Sequence, residues 1–175
     1  MAVQPGPAGS PVASSSTSEI SEIYVQGIVA GLIGAATVAI WFFVVDVFNG
    51  RPFFTPNVLG TALFRREIGL DQPQTLPMSF EMVLFYTWVH GLAFCVIGGL
   101  ASKLLALAER DLNLGFGILL FFVIFEFGFV GAASVFARPI LQALTWPSVL
   151  VGNLLAAVAM AAYFWRHHPN LRVSP

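Results

Sequence analysis

The chain reads as an all-α membrane protein, a four-transmembrane-helix bundle with an interfacial helix in its first loop. Composition is the first observation behind this. Of 175 residues, 57% are hydrophobic and 10% are charged, whereas a soluble chain carries about a quarter charged residues. Polar side chains are too few to coat a water-facing globule of this size. Grouping is the second. The apolar residues gather into stretches at 24–48, 80–108, 112–137 and 146–165, with very few charges inside any of them. A hydrocarbon core about 30 Å thick needs roughly 20 helical residues, and each stretch supplies them. Helices are the expected form because each backbone donor and acceptor is then satisfied within its own segment. The runs are continuous and lack the alternation of a membrane barrel. One membrane domain over 23–166 accounts for the chain, between tails at 1–22 and 167–175.

The first tail, MAVQPGPAGSPVASSSTSEISE, is rich in Pro, Gly and Ser and holds no Lys or Arg. It therefore reads as flexible and lacks the positive start of a cleavable signal peptide. The first span is expected to be retained as an anchor beginning near Tyr24. Ser21 is its expected cap, with Glu22 in the first turn complementing the helix dipole.

Residues 49–79 form the longest loop. Asn49-Gly50 and Arg51-Pro52 signal a turn after the first span. A short helix then fits, with Thr55 as cap and Pro56 at its first position. Val58, Leu59, Ala62, Leu63 and Phe64 supply an apolar face, and Phe53 and Phe54 anchor it at the membrane surface. Pro73 and Pro77 mark the return to the second span. Residues 109–111 are little more than a break, which makes the second and third spans antiparallel neighbours. Residues 138–145 join the third span to the fourth, where Pro147 is tolerated in the first turn.

With four spans, Lys103, Arg110, Arg166 and Arg172 share the side of both termini, and Arg51, Arg65, Arg66 and Arg138 lie opposite. That even count leaves the cationic rule undecided. His167 and His168, and the distance of Arg65-Arg66 from the membrane ends, tilt the expectation toward a multi-pass cell-membrane protein with both termini cytoplasmic. Gly27 and Gly31, Gly128 and Ala132, and Gly152 and Ala156 are small-residue pairs that admit close helix approach, within the bundle or between copies. Seventeen Phe residues add broad surfaces for lipid, bundle or partner contacts. Trp146, Trp165, Tyr24 and Tyr163 stand where interface anchors belong.

The candidate functional residues are the polar exceptions. His90 lies about 15 Å along the second span and Glu126 about 16 Å along the third from the same side, at the usual helical rise. The two are therefore expected to meet near mid-membrane. Asn153, about 10 Å into the fourth span, joins or flanks that layer. Tyr86 and Thr87 share the helical face of His90, whereas Glu81 points almost oppositely. Asp46, Glu81 and Arg51 sit near the membrane surface, where the carboxylates face loop water, cap the loop or pair with Arg51. Three readings fit His90 and Glu126: a structural hydrogen-bond pair, proton handling or other transport, and contact with a partner subunit or bound pigment. Imidazole suits a haem or chlorophyll metal as an axial ligand, yet a lone membrane histidine is a weak signal. No cofactor is assigned on it.

Other chemistries find no pattern. Cys95 is the single cysteine, placed in an apolar span where packing is its usual role. No phosphate-binding loop, dinucleotide fingerprint, zinc-ligand spacing or Glu-x-x-His iron pattern occurs. The basic residues are dispersed, which argues against nucleic acid as a partner. No catalytic residue or metal site is assigned, and the chain is not expected to be an enzyme.

In arrangement, GLIGAATVAIWFFVVDVFNGRPFFTPNVLGTALF followed by three more spans resembles a family of small bacterial integral membrane proteins. The resemblance covers most of 31–165. Asp46, Arg51-Pro52-Phe53-Phe54-Thr55-Pro56 and Phe80 through His90 are its most distinctive stretches. It implies four spans and a bacterial source, and it carries no catalytic residue, cofactor or substrate. The expected function is that of a structural or accessory subunit in a homo-oligomer or larger membrane complex. The alternatives are a small transporter or proton-linked channel around His90, Glu126 and Asn153, and a cofactor-bearing redox or light-harvesting subunit.

Overall fold

The computed structural model describes residues 12–65, 72–108 and 146–167, with side chains over 21–65, 72–107 and 147–167. Four helices are present among them: α1 (Val12–Phe48), α2 (Phe54–Arg65), α3 (Phe80–Ala108) and α4 (Trp146–His167). A 3-10 turn at Pro73–Thr75 precedes α3. Three of the helices are long and apolar enough to cross a membrane, over Ser21–Phe48, Phe80–Leu107 and Pro147–His167. The protein is an all-α membrane bundle with one short helix in its first loop. The expected third span at 112–137, with Glu126, Gly128 and Ala132, lies outside the described residues.

Helix α1 begins earlier than its apolar stretch. Extending a formed helix adds one hydrogen bond per residue fixed, and residues 12–20 contain no Pro or Gly to stop it, the preceding breaker being Pro11. Ser21 therefore lies inside α1 and does not cap it. The other end closes at Gly50, whose φ of 70° suits a residue without Cβ. Gly50 N–H donates to the Val47 carbonyl and Arg51 N–H to the Asp46 carbonyl, the paired bonds of a Schellman cap.

Helix α1 is the centre of the bundle, and α3 and α4 both run antiparallel to it. Along α3, Ser102 donates to the Ile23 carbonyl at 2.8 Å, and His90 lies against Ala35. Along α4, Phe164 and Met160 pack with Ala30, and Trp41 Nε1 donates to the Ser148 carbonyl at 2.9 Å. Helices α3 and α4 are consequently parallel, and Ala108 and Trp146 stand at opposite ends of α1. The start of α1 and the end of α4 share one end of the bundle.

The α1–α3 contact is a glycine crossing. A methyl group on Gly27 would stand 2.6 Å from the Gly99 Cα, one on Gly31 2.8 Å from the Cys95 Cα, and one on Gly98 2.6 Å from the Gly31 backbone N. Without a hydrophobic force between helices in lipid, such close approach maximises dispersion. The Gly27 and Gly31 pair thus serves the inside of the bundle. Gly152 does likewise, facing the Trp41 ring. Large apolar side chains point outward instead, among them Ile40, Trp88, Leu92, Val96, Leu154 and Val158. That arrangement suits a hydrocarbon solvent.

Candidate functional site

The densest polar cluster among the described residues lies at the loop end, where α2 is fastened to the spans. Its anchor is Asp46, two residues before the end of α1 and 3% exposed. One carboxylate oxygen accepts the Thr55 backbone N–H and the other the Thr55 hydroxyl, each at 2.8 Å. The first donors of α2 are thereby all accounted for. Phe54 N–H goes to the Arg51 carbonyl, Thr55 N–H goes to Asp46, and Pro56 has none. Asn57 N–H starts the regular ladder at the Phe53 carbonyl. The expectation that Thr55 caps the helix is corrected by one step: Thr55 is in the first turn, and the capping oxygen comes from α1. A cap requires only an acceptor near the free donors, and any chain segment that folds there supplies it.

The residue that precedes the helix, Phe53, carries a φ of 67°. A bulky side chain in that region costs about 1–3 kcal/mol and persists only where its surroundings over-determine it. Here Asp46 holds the backbone on one side, and the Phe43 ring packs on the Phe53 ring at 5.1 Å on the other.

Asn57, 2% exposed, ties α2 to the start of α3. Its amide donates to the Pro77 carbonyl at 3.2 Å, and its side-chain carbonyl accepts the Ser79 N–H at 3.0 Å. Thr61 donates back to the Asn57 carbonyl at 2.8 Å. Beneath, fully buried Val58 packs with Phe42, Leu76 and Val149, and Gly60 lies directly against the Met82 backbone. Sequence reasoning missed Asn57, because its partners stand twenty and twenty-two residues away and no local pattern announces them.

Arg51, Asp46 and Glu81 do not converge. The Arg51 guanidinium bonds Gln74 and lies 5.4 Å over the Phe54 ring. Glu81 instead pairs with Arg65 at 3.3 Å, in an exposed bridge. Asp46 is buried rather than facing loop water.

In the spans, His90 Nε2 lies 3.3 Å from the Ala35 carbonyl. A carbonyl only accepts, so this nitrogen carries the proton. The ring sits between Tyr86, stacked at 5.5 Å, and Phe94, tilted at 4.7 Å, a ladder at four-residue spacing on the α1-facing side of α3. Thr87 turns to its own helix and donates to Val83. Asn153 follows Gly152, which faces the Trp41 ring. Tyr86 and His90 are thus brought together, Thr87 bonds within its own helix, and Glu126 lies outside the described residues. Among the described residues no group of three or more His, Cys, Asp or Glu is placed to hold a metal.

Apolar spans, a glycine-lined crossing and a polar fastening at one end define an integral membrane helical-bundle protein. Comparison with protein-family models, curated proteins and solved structures finds no match for the chain.

Proposed function

We propose that the chain is a non-catalytic structural or accessory subunit that packs with copies of itself or with another protein of the cell membrane, both of its termini facing the cytoplasm. The observation supporting this is how the polar side chains of the spans are used. His90, Ser102 and Trp41 each donate to a backbone carbonyl of a neighbouring helix. Polar groups are costly in hydrocarbon, and those that move ions or protons line water or exchange partners. These three instead stabilise one arrangement of α1, α3 and α4, as a scaffold requires, while the outward faces are left apolar for lipid or a neighbouring protein.

The test is the mass of the intact assembly after gentle transfer to lipid nanodiscs, with tagged chain used to recover companions from the native membrane. A mass above that of one chain, from repeated copies or a stoichiometric companion, is expected. A strictly monomeric protein under these conditions overturns the proposal. The orientation is read separately, by labelling a cysteine introduced in either tail on a Cys95→Ser background. Labelling from outside intact cells overturns the cytoplasmic placement.

A further inference from the structure

We propose that α2 is inserted into one leaflet of the bilayer at the boundary of headgroups and acyl chains, with the aromatic pairs at its two ends in contact with lipid. It buries polar residues beside Val58 and keeps large apolar ones on its outer face. The polar residues Thr55, Asn57 and Thr61 are buried, while Phe53, Leu63 and Phe64 are 38%, 48% and 46% exposed. A loop helix bathed in water places its apolar stripe inward and its polar residues outward. This helix satisfies its polar groups within the protein and offers hydrocarbon to its surroundings.

Helix α4 acts as a depth gauge. Its candidate span is 21 residues, about 31 Å at the helical rise against a hydrocarbon core of about 30 Å. Its first turn must therefore stand at the hydrocarbon edge on the loop side. Val149, in that turn, packs on Val58 of α2, which sets α2 at the same level. The other neighbours agree. Phe43 is five residues inside the end of α1 at Phe48, and Phe85 five residues inside the start of α3 at Phe80, offsets of about 8 Å. Helix α2 lies beside the outer turns of the spans and not above them.

The outer surface of α2 also continues that of the spans. Phe53 pairs with Phe43 at 5.1 Å and Phe64 with Phe85 at 5.4 Å, and Phe43 and Phe85 are themselves 42% and 44% exposed on membrane-spanning helices. The same acyl chains that cover Phe43 and Phe85 reach Phe53 and Phe64. Arg51 and Arg65 stand at the two ends of α2, where their long side chains can extend to the headgroups while the stems stay in the apolar layer.

The experiment places a spin label at Leu63→Cys or Phe64→Cys in the full-length Cys95→Ser chain, in phospholipid nanodiscs. Collision with molecular oxygen, which concentrates in lipid, is compared with collision with a water-soluble nickel chelate. Gln72→Cys serves as the loop reference and Leu92→Cys as the mid-span reference. The expected oxygen-to-nickel ratio at both positions is several-fold above that at Gln72→Cys and approaches that at Leu92→Cys. A ratio equal to the loop reference puts α2 in water and overturns the proposal. Low collision with both reagents means that protein, a second copy or a partner, covers the helix, and overturns it as well. Leu63→Cys leaves the Phe64–Phe85 pair intact, so its outcome stands even if Phe64→Cys loosens α2.

Discussion

The Asp46 carboxylate holds Thr55 by two hydrogen bonds of 2.8 Å, to the backbone N–H and to the hydroxyl. Because the Asp46 carbonyl also accepts the Arg51 N–H that closes α1, one residue ends the first span and begins the loop helix. Replacing it with Ala removes a cap and leaves buried donors unsatisfied, an expected cost of about 2–3 kcal/mol. Asp46→Asn keeps one acceptor oxygen and is expected to lose less. Denaturant titration of the reconstituted protein, with protease cleavage within residues 49–79 as a local readout, checks both. Equal stability of the wild type and Asp46→Ala would remove the fastening role.

Asn57 is the second fastening. Asn57→Ala strands the Pro77 carbonyl and the Ser79 N–H in a partly buried setting, for a loss of about 1–3 kcal/mol. Asn57→Asp keeps an acceptor for Ser79 but loses the donor to Pro77, and is expected to fall between. Hydrogen exchange at the start of α3 reports the result, with faster exchange at residues 79–83 expected in Asn57→Ala.

At the glycine crossing, volume is the decisive quantity. Gly31→Val drives a branched side chain into the Phe94 and Cys95 backbone, where relief requires the helices to part. Overpacking costs about 1–3 kcal/mol where side chains yield, and backbone contact places this substitution at or beyond the upper end. Loss of a Cys crosslink engineered between positions 23 and 102 on a Cys95→Ser background would register the separation. Undiminished crosslinking would show that the crossing tolerates bulk.

His90→Phe retains a ring between Tyr86 and Phe94 and loses the bond to Ala35. Hydrogen bonds between membrane helices contribute about 0.6 kcal/mol on average and at most about 1.7, so a loss within that range is expected from unfolding titrations. His90→Leu removes the ring contacts too and is expected to cost more. A loss several times larger for His90→Phe would mean that the imidazole has a further partner.

The Arg65–Glu81 bridge is the contrasting case. Both side chains are substantially exposed, at 46% and 60%, so water and salt screen the pair. Glu81→Gln is expected to change stability by about 0–0.5 kcal/mol. A larger, salt-dependent loss in the same titration would assign it a bigger part in holding α2 to α3.

The spans were legible because burial in lipid is summed along a local stretch, and the runs at 24–48, 80–108 and 146–165 each carry enough apolar residues. The loop helix was legible too, from its proline and its apolar pattern. Its fastening was not. A carboxylate at a span end has three uses open to it, facing loop water, capping the loop or pairing with Arg51, and only the approach of Thr55, nine residues on, selects the buried cap.

From sequence alone, the protein's solvent was decided: long apolar helices with few charges are more stable in hydrocarbon than in water, whatever they later touch. Partners were decided only in three dimensions. The bonds from Ser102 to Ile23 and from Trp41 to Ser148 join residues 79 and 107 apart, and a hydrogen bond depends on distance and direction in space, which no local run of residues specifies.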